Sequence, residues 1–183
     1  MTMDRRRFMT GAAALAALAA SATPAAPAVL RGRGDFRSLS LVNRRTGEWI
    51  KSVYWIEGEY VPEALESMNH ILRDWRQDRE MEMDPTVLDI LSATHGLLDT
   101  TEPFEVISGY RTPETNSLLR NRSKGVASNS YHIKGMAVDV TLKSRSVRQI
   151  SGAGLSLRAG GVGKYSRSQF VHLDSGPVRE WGR

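Results

Sequence analysis

The stretch Ser130-Tyr131-His132-Ile133-Lys134-Gly135-Met136-Ala137-Val138-Asp139-Val140 restricts this chain more than any other. An imidazole and a carboxylate stand seven positions apart across a glycine, and the carboxylate lies in a segment that alternates from Met136 to Leu142. Alternation with a period of two specifies a strand, with Ala137, Asp139 and Thr141 on one side. Gly135 lets the backbone bend closely between His132 and that strand. A carboxylate on a buried strand needs a cation or several donors to offset its desolvation. A second apolar run, Phe170-Val171-His172-Leu173-Asp174, carries another imidazole. Folding that joins His132, Asp139 and His172 makes a zinc site with three protein ligands and a fourth position free for water. That is the pattern of a catalytic zinc, whereas a structural zinc has all four positions filled by protein. Spacing alone leaves a plainer alternative open, a capped histidine and a surface aspartate.

The chain has no cysteine. Disulfides, a thiol nucleophile and thiolate ligands are therefore excluded, and a metal must use His and carboxylate. A length of 183 residues points to one domain, and 40% hydrophobic residues with four tryptophans supply a core. The net charge of +5 is modest, and Lys and Arg are scattered rather than massed, which argues against nucleic acid as a partner. Residues 1–28 read as a targeting segment. Arg5-Arg6-Arg7-Phe8 precedes a short apolar region, Ala12 to Ala20, and Ala26-Pro27-Ala28 offers a cleavage site. This is the pattern of a twin-arginine signal, which implies export to the periplasm and no stable membrane span after cleavage. The alternative is an uncleaved tether. Residues 29–37 read as a flexible lead-in and 38–183 as a single domain, expected to be a monomer.

Ser38 to Asn43 and Trp49 to Ile56 read as a hairpin turning at Arg44-Arg45-Thr46-Gly47. Pro62 to Gln77 has helical periodicity, and Asp84-Pro85 opens a second helix. His70 and His95 lie in these helices without metal-type partners one turn away, and read as structural or surface residues. Phe104 to Ile107 reads as a strand leading to Arg111, and Thr112-Pro113 starts a short helix. Ser146 to Ala159 is a further helix. Gly160 to Tyr165 reads as a tight strand and turn, because its spacing fits no phosphate loop. Gln169 to Leu173 is expected as the last strand, with Trp181 packed back on the body. Arg111, between a strand and a helix, either faces a reacting oxyanion or is a surface arginine. Asp174 shares a strand face with His172, and either handles protons or holds His172.

Ser108-Gly109-Tyr110-Arg111, Ser130-x-His132-x-x-Gly135-x-Ala137-x-Asp139, Gly161-x-Gly163-x-Tyr165 and Phe170-Val171-His172-x-Asp174-x-Gly176-Pro177-x-Arg179-x-Trp181 together resemble the M15 zinc D,D-peptidases. The likeness spans residues 36–183. It implies an α+β fold, a small antiparallel sheet with flanking helices of the kind shared with the hedgehog domain. It implies Zn2+ held by His132, Asp139 and His172, and Arg111 binding substrate or stabilising the tetrahedral intermediate. Tyr110 and Ser130, within the same motifs, are assigned to substrate binding. The implied activity is D,D-endopeptidase hydrolysis of cross-links between peptidoglycan peptide stems. Several relatives carry an acidic base three positions before the last ligand, where this chain has Gln169; Asp174 is the substitute candidate. Two alternatives stand beside this reading: a D,D-carboxypeptidase trimming terminal D-Ala, and a non-catalytic wall-binding module.

Overall fold

A computed structural model describes residues 34–123 and 125–182 of the chain. The targeting segment and most of the lead-in lie outside the described residues. Among them, the elements run β1 (Phe36–Asn43), β2 (Trp49–Ile56), β3 (Glu59–Tyr60), α1 (Pro62–Ile71), α2 (Pro85–Leu97), β4 (Phe104–Ser108) and α3 (Pro113–Arg122). A short 3-10 turn, Tyr131–Lys134, then precedes β5 (Ala137–Thr141), α4 (Val147–Leu157), β6 (Gly161–Tyr165), β7 (Phe170–Asp174) and β8 (Arg179–Gly182).

The fold is α+β, built on one eight-stranded sheet in the order β3-β2-β1-β4-β5-β7-β6-β8. The sheet is mixed rather than purely antiparallel. Strand β4 runs parallel to β1, and β8 runs parallel to β6. Parallel pairing needs a long crossover, and α1 and α2 provide it between β1 and β4. Val138 and Val140 on β5, Val171 and Leu173 on β7 and Val162 on β6 join the buried core with Val87, Leu88 and Leu91 of α2 and Ile150 of α4. Strand alternation then turns Asp139 and His172 to the other face. These two residues are direct register partners on adjacent antiparallel strands.

The helix starts follow their capping residues. The Asp84 side chain accepts from Thr86 N with Pro85 in the first turn, and the Thr112 hydroxyl accepts from Thr115 N. Ser146 and Gln149 form a reciprocal capping box on α4.

Three boundaries differ from the sequence reading. Helix α1 stops at Ile71 rather than Gln77, because Asp74 is buried and accepts from Thr112 N and Thr112 Oγ1, both at 2.9 Å. Strand β1 begins at Phe36, inside the expected lead-in, where buried Arg37 pairs with fully buried Asp89 at 3.0 Å. Strand β7 is not the last: Arg179–Gly182 adds β8 beside β6.

Candidate metal centre

His132 sits in the 3-10 turn, which Ser130 caps by accepting from His132 N at 3.3 Å and which ends at Gly135 with φ +67°. The left-handed backbone at Gly135 is strained for any residue with a Cβ. A Cβ there would also lie 2.7 Å from Glu82 O. This turn delivers His132, 2% exposed, to the face carrying Asp139 and His172. The Nδ1–H of His132 donates to Gly109 O at 2.7 Å, leaving Nε2 as a bare lone pair. In His172 the arrangement is reversed. Its Nε2 lies 2.9 Å from Asp174 Oδ2, so Nε2 keeps a proton, and Nδ1, which faces Asp139 Oδ1 at 2.9 Å, is the nitrogen left for a metal.

His132 Nε2 and His172 Nδ1 are 3.1 Å apart, and Asp139 Oδ1 lies 3.2 Å from His132 Nε2 and 2.9 Å from His172 Nδ1. Without a metal a proton on His172 Nδ1 bridges it to Asp139 Oδ1; a metal ion that displaces this proton meets three lone pairs already turned toward one point. A tetrahedral zinc with bonds of about 2.0–2.1 Å sets its ligand atoms about 3.3 Å apart, so the donor set fits such an ion closely. Among the described residues this is the group of His and carboxylate side chains that could hold a metal.

Without a metal, burial pushes the pKa of His132 down to about 4, so it is neutral and ready to coordinate at pH 7. Burial works against ionisation of Asp139, but the adjacent imidazoles, in their protonated forms, and the Arg111 guanidinium outweigh it and hold the carboxyl well below the usual range. Burial likewise opposes charging of His172, and the carboxylates of Asp139 and Asp174 overcome it, raising its pKa.

The other residues expected at the site divide. Arg111 donates from Nη2 to Asp139 Oδ2 at 2.5 Å and from Nε to Ser108 Oγ at 2.8 Å. It lines a cleft of about 520 Å³ together with Ser130, the two imidazoles and Asp139. Tyr110 lines no part of this cleft; it is buried in the core, and its N–H donates to Leu72 O. Asp174 is fully buried behind His172. Gln169 is exposed in the turn after β6, with φ +57° and its amide on Ser166 O. His70 is exposed on Glu80 and His95 bonds Glu102 O, so both stand apart from the metal-type group as expected. Sequence reasoning passed over Gly109 O, which sets the His132 tautomer and carries no side-chain signal. Arg179 and Trp181, which the motif contains without a local pattern that assigns Arg179 a role, both line the cleft.

An α+β domain that gathers two imidazoles and a carboxylate at the floor of a cleft has the build of a small metallopeptidase. The chain belongs to the M15-type family described as peptidoglycan L,D-endopeptidase MepK, whose model matches residues 31–181. It is 47% identical over 145 residues to the peptidoglycan L,D-endopeptidase MepK of Escherichia coli K12, covering 79% of this chain and 80% of the relative. It is 37% identical over 148 residues to the probable peptidoglycan L,D-endopeptidase MepK of Haemophilus influenzae, covering 79% and 78%. The family description corrects one expectation, since it specifies L,D where the motif likeness implied D,D. No described helix is long and apolar enough to cross a membrane.

Proposed function

We propose that this chain is a zinc-dependent peptidoglycan endopeptidase, acting in the periplasm on cross-link peptide bonds that join an L centre to a D centre. The observation that carries the reading is the convergence of His132 Nε2, His172 Nδ1 and Asp139 Oδ1 within 3.2 Å of one another. The names of the relatives supply the substrate class and the L,D specificity.

When bound, zinc supplies a water nucleophilic at neutral pH and a Lewis acid for the scissile carbonyl. The protein supplies the rest. Gly109 O and Asp174 hold the two imidazoles in their ligating tautomers. Arg111, beside Asp139 on the cleft wall, places positive charge where the carbonyl oxygen becomes negative. Ser130 fixes the turn that carries His132 and presents its own edge to the substrate. Asp174 orients His172 rather than moving protons, because it is fully buried and every lone pair is engaged.

The two alternatives are not favoured. The relatives are named as endopeptidases rather than trimming enzymes, and a wall-binding module has no use for three converging metal donors. Mass spectrometry of muropeptides tests the reading: zinc-loaded protein is incubated with sacculi containing both D,D and L,D cross-links. Loss of L,D-linked dimers, blocked by chelator and by His132→Ala, is expected. Intact L,D dimers, or cleavage that persists in chelator, would overturn it. The export reading is tested by Arg5→Lys with Arg6→Lys, which should trap the chain in the cytoplasm.

A further inference from the structure

The glycines and the C-terminal Arg-x-Trp of the sequence motifs are so far unexplained, and they meet beside His172. We propose that Arg179 is a positioning residue that, through Asp174, fixes the ligating tautomer of His172. The inference rests on the metal-centre reading above and extends it to a residue outside the three-donor group.

Asp174 Oδ2 accepts from His172 Nε2 at 2.9 Å and from Arg179 Nη2 at 2.7 Å, while Oδ1 accepts from Arg179 Nη1 at 2.9 Å. The guanidinium therefore grips the carboxylate with both ends of its fork, the strongest and most directional geometry for such a pair. Gly161 N and Gly176 N add donors to Oδ1 at 3.2 and 2.8 Å. A carboxylate so held cannot rotate, and its Oδ2 stays aimed at the imidazole N–H. Flipping the ring or moving the proton to Nδ1 would leave a buried carboxylate oxygen facing a bare nitrogen. The nitrogen that His172 offers to a metal is thus dictated from the opposite edge of its ring.

Aromatic rings hold the arginine in place. Its guanidinium lies 4.9 Å from the Tyr131 ring and 4.7 Å from the Trp181 ring, within cation–π range of both. Trp181 also packs 5.1 Å from the His172 ring, covering the imidazole that Asp174 orients. The parallel register of β8 on β6 sets Arg179 beside Gly161 and Trp181 beside Gly163. A Cβ at Gly161 would stand 2.6 Å from Asp174 Oδ2 and 2.7 Å from Arg179 Cζ; one at Gly163 would stand 2.6 Å from the Trp181 ring. At Gly176 it would stand 2.6 Å from Tyr131 Cζ. Three glycines therefore leave the space that the arginine and its two rings occupy. A salt bridge needed only to hold β8 would not require access to the back of a ligand.

The test uses Arg179→Lys and Arg179→Gln, with Gly161→Ala as a variant that keeps every charged group but displaces the fork. Two quantities are read on protein shown to be folded by near-ultraviolet circular dichroism. One is zinc affinity, from competition with a chelator. The other is the His172 tautomer in metal-free protein, from its ring nitrogen shifts in 15N NMR at an alkaline pH where the ring is neutral. The expectation is a loss of zinc affinity of about 10–100-fold, the range seen when groups behind a ligand are removed. A mixture of His172 tautomers should replace the single Nε2–H form, and Asp174→Asn should abolish any further effect of Arg179→Gln. Wild-type affinity and a single tautomer in a folded Arg179 variant would overturn the proposal and leave the metal reading standing. If wild-type protein itself binds no zinc, the metal reading fails, and the tautomer measurement still decides whether Arg179 orients His172.

Discussion

Loading and stripping the metal should move the thermal stability of this domain by an amount that can be estimated beforehand. The three donor atoms already lie within 3.2 Å of one another, so binding needs little rearrangement and its free energy appears as added stability. Free zinc at about 1,000 times the dissociation constant adds about 4.1 kcal/mol. For a domain of about 150 residues, each kcal/mol moves Tm by about 2–4 °C, so the expected rise is about 8–16 °C. Removing one ligand with His132→Ala should weaken binding at least as much as the roughly 100-fold reached by losing a group behind a ligand. At the same free zinc, only about 1.4 kcal/mol and about 3–6 °C then remain. Scanning calorimetry across a series of buffered free zinc concentrations measures both curves, with magnesium as a control ion. A wild-type Tm independent of zinc would refute the donor-set argument. An equal rise in His132→Ala would show that zinc binds elsewhere.

Other perturbations separate catalysis from scaffolding. Arg111→Ala should lower turnover by about 10²–10³, the scale of a lost oxyanion donor, while metal content falls much less; loss of zinc with unchanged rate per metal would make Arg111 purely structural. Tyr60→Phe removes the donor at 2.7 Å from Asp89 Oδ2 and should cost about 1.5 kcal/mol in denaturant unfolding, the low end because Tyr60 is only half-buried. Burial pushes the Asp74 carboxyl up, but donors from Thr112 and Arg76 outweigh it and hold its pKa below the ordinary 3.8. Its stabilisation is therefore fully present above pH 3.8 and is lost as pH falls through its lower folded value. Unfolding followed against pH should show a shallower acid slope in Asp74→Asn than in wild type, and an unchanged slope would contradict the assignment.

Three parts of the centre were legible because chemistry stood out against pattern. His132, Asp139 and His172 each interrupt or border an apolar run, where a titratable group needs a partner. The helix caps at Asp84, Thr112 and Ser146 were equally visible, since each depends on its near neighbours. What failed to show was non-local. Leu72 and Trp75 continue the helical stripe past Ile71, yet the helix ends because Asp74 is captured by Thr112, 38 positions away. Tyr110 beside Arg111 reads as a substrate contact, but its N–H is tied to Leu72 O and its ring joins the core. Strand β8 has too few residues for alternation to declare it, and its pairing depends on space left by Gly161 and Gly163.

The centre combines two kinds of support. Asp139 and His172 face each other across paired strands, so the sheet ladder itself fixes their separation. His132 comes from a turn outside the sheet and must be tied by other means. Its ring bonds Gly109 O, and its carbonyl accepts from Arg111 N. Gly135 O accepts from Asp84 N at the start of α2, and Met136 O accepts from Ser175 N beyond β7. These bonds fasten the turn to the end of β4, to a helix start and to the strand carrying His172. Most come from backbone groups, which survive side-chain substitution, so the third donor is held about as firmly as the two on the sheet. The arrangement also explains why the motif spacing is rigid. Inserting one residue between His132 and Asp139 would shift the strand register or break the turn, and in either case remove a donor from the cleft floor.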